Sequence, residues 1–164
     1  MLDCTAEDWP HACDFPTLLE KLPRLIHTLG FHYFHFAYVS DRRNVTEGNL
    51  LPGGAQLVQA ALGTRPEHAR YSNLPLLWDA QTFRRSPDRW REAHALGLRH
   101  GWIQPVRLGP ASSYLAVLRP HVSVSRDELY LKSAWIMWLS ERLHLAVEYS
   151  DGAPDSGNHC LDRQ

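Results

Sequence analysis

The chain has 164 residues, 44% hydrophobic and 21% charged, with a formal net charge of −1. That length suits one domain burying roughly 70% of its unfolded surface without a metal or disulfide staple, and that charge leaves no global footprint for nucleic acid. No run approaches the ~18 apolar residues of a membrane span, the acidic start from Met1 to Asp8 is unlike a secretory signal, and three cysteines near the termini make no disulfide framework. A reducing, cytoplasmic location is the simplest expectation.

In chain order, Asp14 with Pro16 reads as an N-cap and first turn. The helix it opens carries Leu18, Leu22, Leu25, Ile26 and Leu29 on one face, with a kink at Pro23 and an end at Gly30. Residues 31–39 are aromatic and β-branched, which predicts a central strand covered on both sides, and a second strand follows at about 45–51. Pro52-Gly53-Gly54 breaks the chain before a short helix over 55–62, and 64–81, with Pro66 and Pro75, reads as irregular. Ser86-Pro87-Asp88 predicts a helix start; the basic run Arg84, Arg85, Arg89, Arg91 then lies on a solvated helix face. Residues 102–108 and 114–118 read as strands joined by a hairpin-like turn at Gly109-Pro110-Ala111-Ser112. Ser125-Arg126-Asp127-Glu128 has the capping-box pattern and opens the longest helix, to about Tyr149; the polar, Gly- and Pro-containing stretch after it reads as a linker. Short turns between strands and apolar residues on both strand faces predict an α/β/α sandwich: a central antiparallel sheet of about five strands with helices on both faces.

Catalytic chemistry finds little support. No Gly-x-Ser-x-Gly elbow or Gly-rich phosphate loop is present, and Ser112-Ser113 sit in a turn with no base nearby in sequence. The ten histidines match no zinc spacing: His32 and His35, three apart on a strand, point to opposite faces, and His11 with Cys13 and Cys4 is a loose arrangement. No metal, no cofactor and no enzymatic activity is expected. Trp78, Trp90 and Trp102, with Tyr71, Phe83 and Tyr114, cluster in the central third. Each is read first as core; together they can also wall an apolar small-molecule pocket.

The segment Leu74-Pro75-Leu76-Leu77-Trp78, followed by Ala93, Gly97, Leu98, Gly101 and Pro105 at ungapped spacing, resembles the autoinducer-binding domain of LuxR-type quorum-sensing transcription regulators. Leu29-Gly30-Phe31, entering an aromatic strand, resembles that family's first helix-to-strand junction. The resemblance covers 74–118 well and the rest more weakly. It implies the same α/β/α fold, binding of an acyl-homoserine lactone or other small apolar ligand between the sheet and one helix layer, homodimer formation, and DNA contact only through a C-terminal domain not in this chain. On that reading 1–149 is the sensor domain and 150–164 a linker toward a helix-turn-helix domain. Trp78 matches the family Trp beside the lactone ring; Trp90, Leu98 and Ile103 fall near the acyl pocket, and Phe36 and Tyr38 on the aromatic strand complete the ligand-pocket candidates.

The same alignment marks departures. Where the family has a Tyr-Pro-x-x-Trp-x-x-x-Tyr segment, this chain has Leu51 to Gln59, with Ala55 and Gln59 at aromatic positions. Arg65-Pro66 stands for the family's Asp-Pro, and the late strand ends Ala116-Val117-Leu118-Arg119. A cation cannot accept the ligand N–H that a carboxylate accepts. The expectation is therefore a sensor domain with altered or lost lactone binding, an orphan regulator. The alternative is a stand-alone interaction module, an anti-activator that pairs with a complete regulator; an acyl-transferring enzyme on the same fold lacks an acid–base pair.

Overall fold

The computed structural model describes residues 14–65 and 72–152. Its elements are α1 (Phe15–Thr28), β1 (Tyr33–Val39), β2 (Asn44–Gly48), α2 (Gly54–Gly63), β3 (Leu76–Trp78), α3 (Pro87–Ala95), β4 (His100–Leu108), β5 (Ala111–Arg119) and α4 (Arg126–Gly152). The five strands form one sheet in the order β2-β1-β5-β4-β3, and every neighbouring pair is antiparallel. The predicted sandwich and strand number are borne out.

Side chains alternate across each strand, so the sheet feeds two separate cores. Phe34, Phe36 and Tyr38 of β1, Trp102 of β4 and Leu115 and Val117 of β5 pack with Leu18, Leu22 and Ile26 of α1 and Ile136, Leu139 and Leu143 of α4. Ala37, Ile103, Tyr114, Ala116 and Leu118 pack on the opposite face with Leu57, Val58 and Ala61 of α2 and Ala93 of α3. The terminal helix lies on the first face and the two short middle helices on the second.

The local start signals are mostly realised. Asp14 caps α1, its Oδ1 accepting from Thr17 N at 3.0 Å, and the helix runs through Pro23 to Thr28, with Gly30 at φ +92° just beyond. The hairpin turn is tighter than predicted: Leu108 pairs with Ala111, leaving Gly109-Pro110 as a two-residue loop with Gly109 at φ +68°, the positive φ such loops require at that position. Ser125 Oγ accepts from Glu128 N at 3.1 Å, which is half of the expected capping box. The other half is absent because the Glu128 carboxylate turns to Arg119 instead. Ser86 precedes α3 but its side chain makes no capping bond.

Several boundaries differ. β3 lies inside the stretch read as irregular; three residues are too few to show a period of two, and their strand character comes from pairing with β4. β2 ends at Gly48 rather than Leu51, and β1 begins at Tyr33, so His32 precedes the strand. α4 continues past Tyr149 to Gly152; the rest of the expected linker, like 66–71, lies outside the described residues. No helix among the described residues is long and apolar enough to cross a membrane.

Candidate functional site on the α2–α3 face of the sheet

The α2–α3 face gathers four of the six residues expected to line a ligand pocket. Trp78 sits on edge strand β3, 2% exposed, its ring edge-on to Phe83 with centroids 5.3 Å apart. Its indole Nε1 donates to the Leu98 carbonyl oxygen at 2.8 Å. Leu98, in the turn after α3, and Ile103, on β4, have no accessible surface. Trp90, on α3, is half-buried, 6.4 Å from Phe83 and edge-on to His94 at 4.6 Å. A side chain with no accessible surface borders no void that would admit a water molecule. The layer around Trp78 is therefore filled by the chain's own side chains.

Phe36 and Tyr38 are not part of this layer. Their parity on β1 sends them to the α1–α4 face, where Phe36 lies 5.8 Å from Phe15 and Tyr38 5.1 Å from the His144 ring.

Space remains further along the same face. An open cleft of about 520 Å³ lies between α2 and the ends of β1, β5 and β4, with Ala37, Val39, Leu62, Pro105 and Tyr114 along it. Tyr114 is its buried floor, and Gln59 Nε2 donates to the Tyr114 hydroxyl at 2.8 Å. Burial pushes the Tyr114 phenol up to about 12, against the opposing pull of the Gln59 bond, so it remains a neutral donor. The His35 ring lies 5.9 Å from the Tyr114 ring, and burial lowers its pKa, favouring the neutral imidazole.

No protein-family model matches the chain. A curated relative, the transcriptional activator protein PhzR of Pseudomonas fluorescens, is 31% identical over 91 residues, which is 50% of this chain and 37% of that protein. The chain thus matches just over a third of that relative's length. Among solved structures, the N-acylhomoserine lactone dependent LuxR family transcription factor CepR2 of Burkholderia cenocepacia superposes with a TM-score of 0.68 at 18% identity, over 87% of this chain and 90% of that one. SdiA in complex with octanoyl-rac-glycerol superposes with a TM-score of 0.63 at 20% identity, over 86% of this chain and 62% of that one.

The chain has the fold of a LuxR-type autoinducer-binding domain.

The four positions where this chain departs from the LuxR-type pattern fall in different places. Gln59 borders the cleft through its bond to Tyr114. Ala55 is half-buried at the start of α2 and lines a separate surface cleft with His35, Gly48 and Leu50. Arg65 is exposed just beyond α2, beside Phe83 and Ser86 at a third cleft. Arg119 is on the other side of the sheet: its guanidinium lies 5.1 Å over the Phe31 ring and donates from Nη1 to Glu128 Oε2 at 2.8 Å. Its pocket-facing neighbours on β5 are Ala116 and Leu118.

Sequence reasoning did not single out Ala37, Leu62 and Arg107 as site residues, and weighed Tyr114 only as one aromatic among several. The alternation Tyr114–Ala116–Leu118 carried the signal for Tyr114. No local pattern marks Leu62 or Arg107, which meet the others only through strand register and helix packing.

Proposed function

We propose that this domain is the sensor half of a quorum-sensing-type transcription regulator in which acyl-homoserine lactone recognition is altered or lost, with DNA contacted by a part of the protein outside this chain. It acts in the cytoplasm as a binding module rather than an enzyme. The relatives support the regulator reading: PhzR is a transcriptional activator and CepR2 a lactone-dependent transcription factor. The observation that carries the divergence is the filled layer around Trp78, where the indole N–H is already committed to Leu98. A lactone entering there would have to displace buried side chains, and the chain has Arg65 where the pattern has a carboxylate. Losing one charged hydrogen bond and two aromatic walls amounts to ~3 kcal/mol, more than a hundredfold in affinity.

A panel of homoserine lactones with short to long acyl chains, followed by thermal shift and calorimetry, tests this. No member stabilises the protein detectably; submicromolar binding of any one overturns the divergence. The chain by itself also fails to retain promoter DNA specifically at physiological salt.

A second reading rests on α4, whose outer side exposes Tyr130 (76%), Leu131 (73%) and Trp135 (41%). Such a stripe suits pairing with another copy or, in an anti-activator, with a complete regulator. Coding sequence for a helix-turn-helix after Gln164 favours the sensor; co-purification of this chain with a full-length LuxR-type regulator, lost in Leu131→Glu, favours the anti-activator.

A further inference from the structure

We propose that the open cleft beside α2 binds an acyl ligand ending in a carboxylate, with Arg107 as its anion anchor. The strand register builds the platform. Val39, Ser112 and Arg107 stand on one rung across β1, β5 and β4, and Ala37, Tyr114 and Pro105 stand on the next. Helix α2 adds Gln59 and Leu62 as a wall, and the open cleft of about 520 Å³ falls in the size range of small-molecule sites.

Arg107 decides the chemistry. Its Nε is buried and has no hydrogen-bond partner, and no carboxylate among the described residues pairs with its guanidinium. A carboxylate in the cleft answers that unpaired cation through the two terminal guanidinium nitrogens, because an Nε closed to solvent is closed to the ligand as well. The Tyr114 hydroxyl, which accepts from Gln59, keeps its own proton to donate to a ligand oxygen. The rest of the lining is mostly apolar: Ala37, Val39 at 52% exposure, Leu62 and Pro105 offer a path for a hydrocarbon chain, with Gln59 and Ser112 at its polar margin. A neutral lactone or alcohol can accept a hydrogen bond but would leave the positive charge of the guanidinium without a counter-charge. The cleft is separate from the Trp78 layer, because Trp78 pairs with Gly101, six residues or roughly 20 Å along β4 from Arg107. The site goes beyond the sensor reading and does not depend on the fate of lactone binding.

The experiment titrates octanoate, methyl octanoate and octanoyl-glycine into the 164-residue chain by calorimetry and amide NMR. Octanoate and octanoyl-glycine together tell a fatty acid from an acylated amino acid, and Arg107-dependent binding of either supports the site. The ester binds at least tenfold more weakly, and Arg107→Gln weakens the acid at least tenfold while leaving the ester unchanged. Val39→Glu, at an exposed position on the same rung, places a competing carboxylate within reach of Arg107 and also weakens the acid at least tenfold, which keeps the test intact if Arg107→Gln fails to fold. Equal binding of acid and ester, no binding of either acid at millimolar concentration, or full retention in the folded variants overturns the proposal. Submicromolar binding of octanoyl-homoserine lactone in the same assay would instead overturn the lost-lactone reading and leave the carboxylate result standing.

Discussion

Trp78 on edge strand β3 donates its indole N–H to the main-chain carbonyl of Leu98 at 2.8 Å, across a separation of 20 residues. That bond ties a three-residue strand to the turn between α3 and β4, both ends of it buried. Trp78→Phe keeps an aromatic ring against Phe83 but leaves the Leu98 carbonyl unanswered, which costs about 1–3 kcal/mol. Urea unfolding followed by tryptophan fluorescence should show a lowered midpoint with an unchanged slope. A variant as stable as the parent would mean that the bond contributes nothing.

Arg119 and Glu128 are paired where α4 crosses the end of β5, with side chains 7% and 19% exposed. Two oxygens of Glu128 accept from two guanidinium nitrogens, at 2.8 and 2.5 Å, and Lys132 Nζ donates to the same carboxylate at 2.6 Å. Glu128→Gln leaves the buried guanidinium short of its counter-charge, and breaking such a pair costs about 3–5 kcal/mol. The Arg119 guanidinium, more than the opposing cost of burial, holds the Glu128 carboxyl down at about 2 against an ordinary 4.5. A folded-state pKa below the unfolded one stabilises above the unfolded value and fades as pH falls through the folded one. That stabilisation is therefore lost as pH falls from 4.5 toward about 2. Acid unfolding of Glu128→Gln should lack that component.

His144 has no accessible surface; Leu108 O accepts from its Nε2 at 3.3 Å, which leaves Nδ1, 2.7 Å from Ser113 Oγ, to accept the hydroxyl proton. Burial lowers its pKa, more than Glu148 and the Leu108 carbonyl raise it, and burial lowers His35 and His100 in the same direction. Below 6.5 the unfolded chain binds protons that the folded chain does not, so stability falls with pH until the folded histidines also titrate. Chemical denaturation at about pH 7.5 and about pH 5.5 should show the loss, and His144→Gln should reduce it. An unaltered slope in the variant would remove His144 as a cause.

Gly101 adopts φ +148°, and a Cβ there would lie 1.9 Å from the Val117 carbonyl oxygen of the neighbouring strand. The backbone conformation alone penalises a side chain by about 1–3 kcal/mol, and the clash is with main chain that cannot rotate away. Gly101→Ala should fail to give soluble folded protein or lose well over 3 kcal/mol, read by thermal melting. Gly63→Ala, where nothing lies within 4 Å of the added Cβ, is the matched control and should be neutral or slightly stabilising.

What the sequence alone determined was local or regularly spaced. Asp14 with Pro16 marked the first helix, the aromatic run marked β1, the turn at Gly109-Pro110 marked the hairpin, and short turns with apolar residues on both strand faces marked the fold class. These signals work because caps, turns and close backbone approaches are set by neighbouring residues and by positions that only glycine or proline can fill. Tertiary structure decided the rest. Which face a strand residue serves is a matter of parity, and parity is set by cross-strand register: one step along β5 moves Leu118 from the α2–α3 core to Arg119 on the α1–α4 side, and one step along β1 separates Phe36 and Tyr38 from Ala37. Glu128, spaced to close a capping box, is held by Arg119 because a nearby buried cation stabilises a carboxylate more than one main-chain N–H does. Arg107, Ser112 and Val39 share a rung although residues as far apart as 39 and 112 have no local relation in the chain. Register and packing are non-local, and only the folded chain brings those three residues together.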